Sequence, residues 1–267
     1  MVQQKLLEEI AERNVVTLDE MKDVVEGIQN QATDNNYVYR KFVYSLLKKG
    51  YLRRIRRSLY HVTPPGKQIS QADRTLIASR IRKDYYIGFH AALEFYGKAY
   101  SYSNKVHICV RPQNRFDQFT YDNAIYTPYI TEDTATHVKE HIYRGETVRV
   151  CTKERLYVEC VKHPGKAGGW EEVLKSLEDL GGIDFDILVE YTIQLDSQAL
   201  LRRMGLTLEL LQDSSVFYQH LDEKDIQGLS TRVTGKNQYL VQGAKGTLNK
   251  RWRLYVPDGF KEHLRGI

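Results

Sequence analysis

Three groups of residues have the types and spacing that chemistry could use. The first is a run of cations between residues 35 and 72: Arg40, Lys41, Lys48, Lys49, Arg53, Arg54, Arg56, Arg57 and Lys67, with no acid among them. Cations without local counter-charges attract a polyanion, phosphate oxygens foremost. The second is His137-Val138-Lys139-Glu140-His141, which has the H-x-x-E-H order of one zinc-protease class. On a helix both histidines could ligate zinc from one face. Thr134, Thr136, Lys139 and Glu140 make this segment polar, Gly145 follows soon after, and no third-ligand motif appears downstream. It therefore reads as two exposed histidines on a solvated turn. The third is Gly168-Gly169 followed by Asp184 and Asp186, the order of a nucleotidyltransferase signature in which paired acids on a strand hold metal ions. That chemistry needs both aspartates on one side of a strand. Here Ile183, Ile187, Leu188, Tyr191 and Leu195 keep a helical period, on which the two acids diverge by about 200°. Asp184 reads instead as a helix start, where a carboxylate meets the positive end.

No other catalytic pattern stands out. Lys166–Gly169 lacks the full phosphate-loop sequence, and Cys160 with His163 is a weak basis for a dyad. Cys109, Cys151 and Cys160 form no CxxC pair and leave an odd thiol. They read as buried apolar fillers in a reducing compartment. No catalytic residue, metal or cofactor is assigned, and the expected location is cytoplasmic. No run approaches the length of a membrane-spanning helix, and the first residues have no apolar signal core.

The 267 residues carry a formal net charge of +5, and that total hides a steep gradient. Residues 1–34 hold eight acids and three bases; residues 35–72 hold nine bases and no acid; residues 73–267 hold 27 bases and 26 acids. One local module faces a polyanion, and a near-neutral body is attached to it.

The elements that must position the cations follow from periodicity. Leu6, Leu7, Ile10 and Ala11 predict a helix over 2–13. Thr17 and Glu20 match a capping box that opens a second helix, striped by Leu18, Met21 and Val25 and stopped at Gly27. The third helix, over 35–49, places Val38, Phe42, Val43 and Leu46 on one arc. Tyr37, Arg40, Lys41, Tyr44 and Lys48 fall on the opposite arc. Three cations and two tyrosines without an acid suit a recognition helix in the major groove. Strands over 51–55 and 59–62 form a hairpin whose tip carries Arg53, Arg54, Arg56 and Arg57, placed to follow a phosphate backbone or a minor groove. Pro64-Pro65-Gly66 then marks a boundary near 63–72. The plainer alternative is a solvated basic helix with a solubilising hairpin.

The body reads as α+β, a small sheet followed by a helical bundle. Helices are expected over 73–83 and 85–97. Strands are expected over 105–111 and 118–127, with Pro112 and Pro128 as stops, and over 147–150. A helix capped by Thr152 carries Arg155 in an exposed first turn. Further helices hold Ile183 to Leu195 and Leu200, Leu201, Met204 and Leu208. Strands are expected over 239–241 and 251–256. The expected domains are 1–72, a winged helix-turn-helix, and 73–267, a larger mixed domain.

Four motifs in chain order then point to a family. Gly50-Tyr51-Leu52-Arg53-Arg54-Ile55-Arg56-Arg57-Ser58-Leu59-Tyr60 after a winged helix resembles the start of AbiEi-type antitoxins, whose wing typically has glycine at the place of Ser58. His90-Ala91-Ala92-Leu93-Glu94-Phe95-Tyr96-Gly97 is similar to that family's Ala-Leu-Glu helix. Thr152 to Cys160, with Pro164 and Ala167-Gly168-Gly169-Trp170, is similar to its Arg-bearing helix and Ala-Gly-Gly helix start. Ala199-Leu200-Leu201-Arg202-Arg203-Met204-Gly205 resembles its Arg-Arg-Leu-Gly helix. The resemblance runs to about residue 212. It implies an antitoxin of a type IV toxin–antitoxin system. Such a protein binds inverted repeats of double-stranded DNA at its own promoter and represses it. It counteracts a nucleotidyltransferase-type toxin, classically without a stable complex. It also makes Arg155, Arg202 and Arg203 the antitoxin-domain candidates; their plainer role is to bridge helices. Two other functions stay open: a winged-helix regulator whose body binds a ligand or a protein, and a metal-dependent nucleotidyltransferase-like enzyme.

Overall fold

A computed structural model describes residues 1–66 and 71–262. The chain is α+β and contains two apolar cores. The first belongs to the N-terminal module. Helix α1 (Val2–Ile10) buries Leu6 and Ile10. Strand β1 (Val15–Thr17) leads into α2 (Leu18–Gln29), and both halves of the Thr17/Glu20 capping box are made. This helix runs past Gly27 and ends at Asn30, which adopts φ 51°; a left-handed residue terminates it, as a side-chain amide tolerates.

Helix α3 spans 35–48 and has three parts: Asn35–Val38, a π-helical turn Tyr39–Val43, and Tyr44–Lys48. Val38, Phe42, Val43 and Leu46 are all buried, as their spacing predicts. Strands β2 (Leu52–Arg56) and β3 (Leu59–Val62) form the hairpin, and β3 also pairs antiparallel with β1. A bulge between Arg54 and Arg56 breaks the alternation of β2. Leu52 consequently packs with the helices, whereas Ile55 packs with the body. The expected boundary near 63–72 falls partly on residues 67–70, outside the described residues.

The body is built on a six-stranded mixed sheet in the order β6-β7-β5-β4-β9-β8. Its strands are β4 (Tyr86–Ile87), β5 (Lys105–Val110), β6 (Phe119–Tyr121), β7 (Ala124–Ile130), β8 (Val138–Tyr143) and β9 (Glu146–Cys151). Helix α4 (Arg74–Ser79) precedes it, and α5 (Phe89–Phe95) joins the sheet to the helical bundle. The bundle comprises α6 (Lys153–Lys162), α7 (Trp170–Glu178), α8 (Phe185–Gln194), α9 (Gln198–Ser214) and α10 (Glu223–Ser230). A three-stranded sheet of β10 (Gln238–Tyr239), β11 (Gly246–Asn249) and β12 (Leu254–Pro257) closes the chain.

Several expectations change. The helix expected over 85–97 is a strand, an extended Gly88 and then a shorter helix. Pro128 does not stop its strand. The N–H groups of Ile125 and Thr131 bond to the β5 side, so the nitrogen of residue 128 faces away from β5. On that side β6 pairs only as far as Tyr126, and no ladder bond is lost. His137 does lie in a turn, at φ 50°, but 138–141 belong to strand β8, and both histidine rings are half-buried and edge-on to aromatic rings, His137 to Tyr191 and His141 to Phe95. Residues 251–253 form a turn, so the strand expected over 251–256 starts at Leu254, and a further strand at 246–249 pairs antiparallel with it. This final sheet is anchored by Trp252, which is fully buried and donates from Nε1 to Glu209 at 2.6 Å. Its ring packs on Gly205, where an added Cβ would lie 2.0 Å from it.

Candidate nucleic-acid interface

The exposed face of α3 carries the residues whose spacing singled them out. Tyr37, Arg40, Lys41, Tyr44 and Lys48 are all exposed. Tyr37 meets Phe42 edge to face, and the Lys48 ammonium sits 4.8 Å from the Tyr44 ring centre. These contacts hold each tyrosine against the helix while its hydroxyl stays at the surface. Asp34 caps the helix by accepting from the Tyr37 N–H at 2.8 Å. The π turn lies within this face, widening the helix where Arg40 and Lys41 project. Such turns occur frequently at functional sites.

The hairpin arginines do not share one face. Arg53, Arg54 and Arg57 are exposed; Arg54 and Arg57 lie on the α3 side, and Arg57 also borders the cleft between the hairpin and the body. Together with Asn35, Asn36 and Tyr39 they line a groove of about 670 Å³ between the helix start and the hairpin. Arg54 donates to the Tyr39 hydroxyl at 2.6 Å and stacks over that ring. Tyr39 was not singled out by spacing, because its value depends on a partner 15 residues away.

Arg53 and Arg56 point to the other side, toward the body. Arg53 pairs with Asp122 at 4.0 Å and lies over Tyr121. Arg56 is half-buried over the rings of Phe119 and Phe116, 4.9 and 5.6 Å from their centres. Burial lowers its pKa, neighbouring Arg82 lowers it further, and Asp117 opposes the shift. The four arginines therefore do not form one surface beside α3: Arg56 is drawn onto the rings of the body, and Arg53, still half exposed, leans toward Asp122. The bulge after Arg54 and the body packed on the hairpin direct Arg53 and Arg56 elsewhere.

The same packing fixes the module on the body. Glu20 accepts from the Thr17 N–H at 2.6 Å, and its other oxygen meets Arg80 Nε at 3.2 Å. Arg80 also pairs with Glu146 at 2.9 Å. Asn14 accepts from the Asp73 N–H, and His61 meets the Tyr121 hydroxyl. The helix-capping acid is thus also the carboxylate that joins the two parts of the chain.

The candidate arginines of the body all have internal partners. Thr152 caps α6, but Arg155 is only 3% exposed, not part of an exposed turn. It pairs with Glu159 at 2.9 Å, bonds the Tyr86 hydroxyl at 2.6 Å, and donates to the carbonyls of Asp133 and Thr136. Burial pushes the Glu159 carboxyl up, opposed by Arg155; the Arg155 guanidinium is raised by Glu159 against its own burial and stays charged. Arg202 is 1% exposed and donates to the carbonyls of Lys236, Arg253 and Thr234. Arg203 is half-buried and donates to the Lys162 carbonyl. Arg155 thus ties the sheet and the loop before β8 to the bundle, and Arg202 ties the final sheet to α9.

Asp184 accepts from the Ile187 N–H and caps α8, as expected. Among the described residues no group of three His, Cys, Asp or Glu could hold a metal ion. The three cysteines are free and buried, and burial raises their thiols. Among the described residues no helix is long and apolar enough to cross a membrane.

No family model matches the chain, and no curated protein is similar to it. Its fold is similar to that of the RV2827C protein from Mycobacterium tuberculosis, known from a crystal structure. The two superpose with a TM-score of 0.65 over 99% of this chain and 94% of that one, at 15% sequence identity. The likeness is one of fold, and it spans the N-terminal module and the body together.

Proposed function

We propose that the protein is a DNA-binding antitoxin and autorepressor of the AbiEi type, acting without catalysis. The observation that supports this best is the acid-free face of α3. Five residues at recognition spacing are exposed there together, beside a groove holding Arg54 and Arg57. A helix in the major groove with a hairpin along the adjacent backbone uses both surfaces at once. Tyr37, Arg40, Lys41 and Tyr44 would read base edges, while Lys48, Arg54 and Arg57 hold phosphates. The partner DNA is double-stranded and carries inverted repeats at the protein's own promoter. The functional partner is a nucleotidyltransferase-type toxin, counteracted without a stable complex.

Two measurements test this reading. Arg40→Ala should weaken promoter binding by about 1–3 kcal/mol and relax base preference. Unchanged binding by the Arg40→Ala/Lys41→Ala double variant would remove the recognition helix. Co-expression with the neighbouring toxin should restore growth; failure removes the antitoxin role and leaves DNA binding standing. A second reading, a winged-helix regulator whose body binds a ligand or protein, is favoured by one observation. Of the body's three antitoxin candidates, Arg155 and Arg202 are buried and present no surface to a toxin, and Arg203 is half-buried.

A further inference from the structure

Between the N-terminal module and the body lies a cleft of about 880 Å³. One side is the hairpin, contributing Arg56 and Arg57; the other is the end of the α4–β4 connection, contributing Arg82 and Lys83, with Asn114 between them. Arg56 and Arg82 both lie over the ring of Phe116, at 5.6 and 5.5 Å from its centre. Among the described residues neither is ion-paired to a carboxylate. Arg82 spends its donors on the carbonyls of Ile81, Asn114 and Arg115. Arg56 Nη1 is buried and has no hydrogen-bond partner. Arg57 and Lys83 are exposed at the rim.

Two guanidiniums brought onto one ring repel each other, and a buried donor without an acceptor costs free energy. The body elsewhere pairs its cations. Elsewhere in the lining Arg80 is satisfied by Glu20 and Glu146, and Arg149 by Asp84. Asp19, Asp23 and Glu140 also line the cleft as exposed carboxylates. On the Arg56 and Arg82 side the exposed Asp117 carboxylate opposes the repulsion of Arg82 on Arg56 only in part, and positive charge remains in excess there. An acceptor of several anionic oxygens would relieve both defects, and a phosphate matches the guanidinium fork. The cleft has the size of a small-molecule site.

We propose that this inter-module cleft binds a phosphate group between Arg56 and Arg57 of the hairpin and Arg82 and Lys83 of the body. The phosphate would belong to a small phosphorylated molecule. The same chemistry could be met by the backbone of a DNA strand running past Arg57, and the two sources are separable. Bound there, the group holds the hairpin against the body.

The test is thermal unfolding of the full chain with inorganic pyrophosphate, against sodium chloride at equal ionic strength. Pyrophosphate at ten times its Kd should raise Tm by about 3–5 °C. Arg57→Gln and Lys83→Gln, both at exposed positions that should fold normally, should each remove most of that rise. Arg56→Lys should retain part of it. A second arm measures the salt dependence of binding to a mixed-sequence duplex. If pyrophosphate gives no rise but Lys83→Gln flattens the slope by about 0.9, the phosphate is that of DNA. If there is no rise and no flattening, or if the rise survives both rim variants, the site is refuted. The first arm contains no DNA, so its failure is distinct from failure of the DNA-binding reading.

Discussion

The division of the hairpin arginines makes the sharpest prediction. Removing Arg54 and Arg57 should change DNA binding electrostatically, whereas removing Arg53 should not. Five cations are presented on the α3 face and its groove: Arg40, Lys41, Lys48, Arg54 and Arg57. If each neutralises one phosphate, log K should fall with log salt at a slope of about −4.5. Affinity would then weaken about 500-fold between roughly 50 and 200 mM salt. The Arg54→Gln/Arg57→Gln variant should have a slope near about −2.7, losing only about 40-fold over the same range. Arg53→Gln should keep the parent slope, because that side chain already faces Asp122 and Tyr121. Fluorescence anisotropy with a labelled duplex, titrated at four or more salt concentrations, reads the slopes directly. Equal flattening by Arg53→Gln would mean that the opposite face of the hairpin meets DNA and that the body swings away. No flattening by the double variant would remove the hairpin from the interface.

Three further outcomes concern stability. Glu20→Ala removes the acceptor of the Thr17 N–H and the partner of Arg80; it should cost about 2 kcal/mol in urea unfolding, and a loss below about 0.5 would deny the shared role. Ser58 adopts φ 61° at the hairpin turn, a conformation that costs an L-residue about 1–2 kcal/mol. Ser58→Gly should therefore stabilise the chain by about 0.5–1 kcal/mol after glycine's entropy cost, and destabilisation would contradict the turn geometry. Burial, reinforced by nearby lysines, holds His107 and His163 at about 4 in the folded chain, below the ordinary value near about 6.5. The unfolded chain thus binds more protons between these values. Their contribution is complete above pH ~6.5 and lost as pH falls toward ~4, on the order of 3 kcal/mol for His107. Unfolding free energies that stay flat across that range would refute it.

The N-terminal module was legible because its signals are local. The capping box, the apolar arc of α3 and the hairpin each arise within a few residues, and burial of Val38, Phe42, Val43 and Leu46 follows from one period. The α+β class and the helix start at Asp184 were legible for the same reason. Where local signals competed, the reading failed. Tyr85 to Gly97 has helical apolar spacing, yet pairing of Tyr86 and Ile87 with β5 and β9 makes its start a strand. Pro128 looked like a stop because its unpaired side could be known only from where β6 ends.

Composition and periodicity alone determined that a charged, acid-free helix face exists and which five residues form it. They also determined that Asp184 and Asp186 do not share a face, because a period is a property of the chain itself. Only the tertiary structure decided which arginines remain available. Arg53 and Arg56 are turned toward rings and an acid more than 55 residues away, and Arg155 and Arg202 are held by buried carboxylate and carbonyl oxygens. A charge's partner is set by what packs beside it, and packing between distant segments leaves no periodic mark in the sequence.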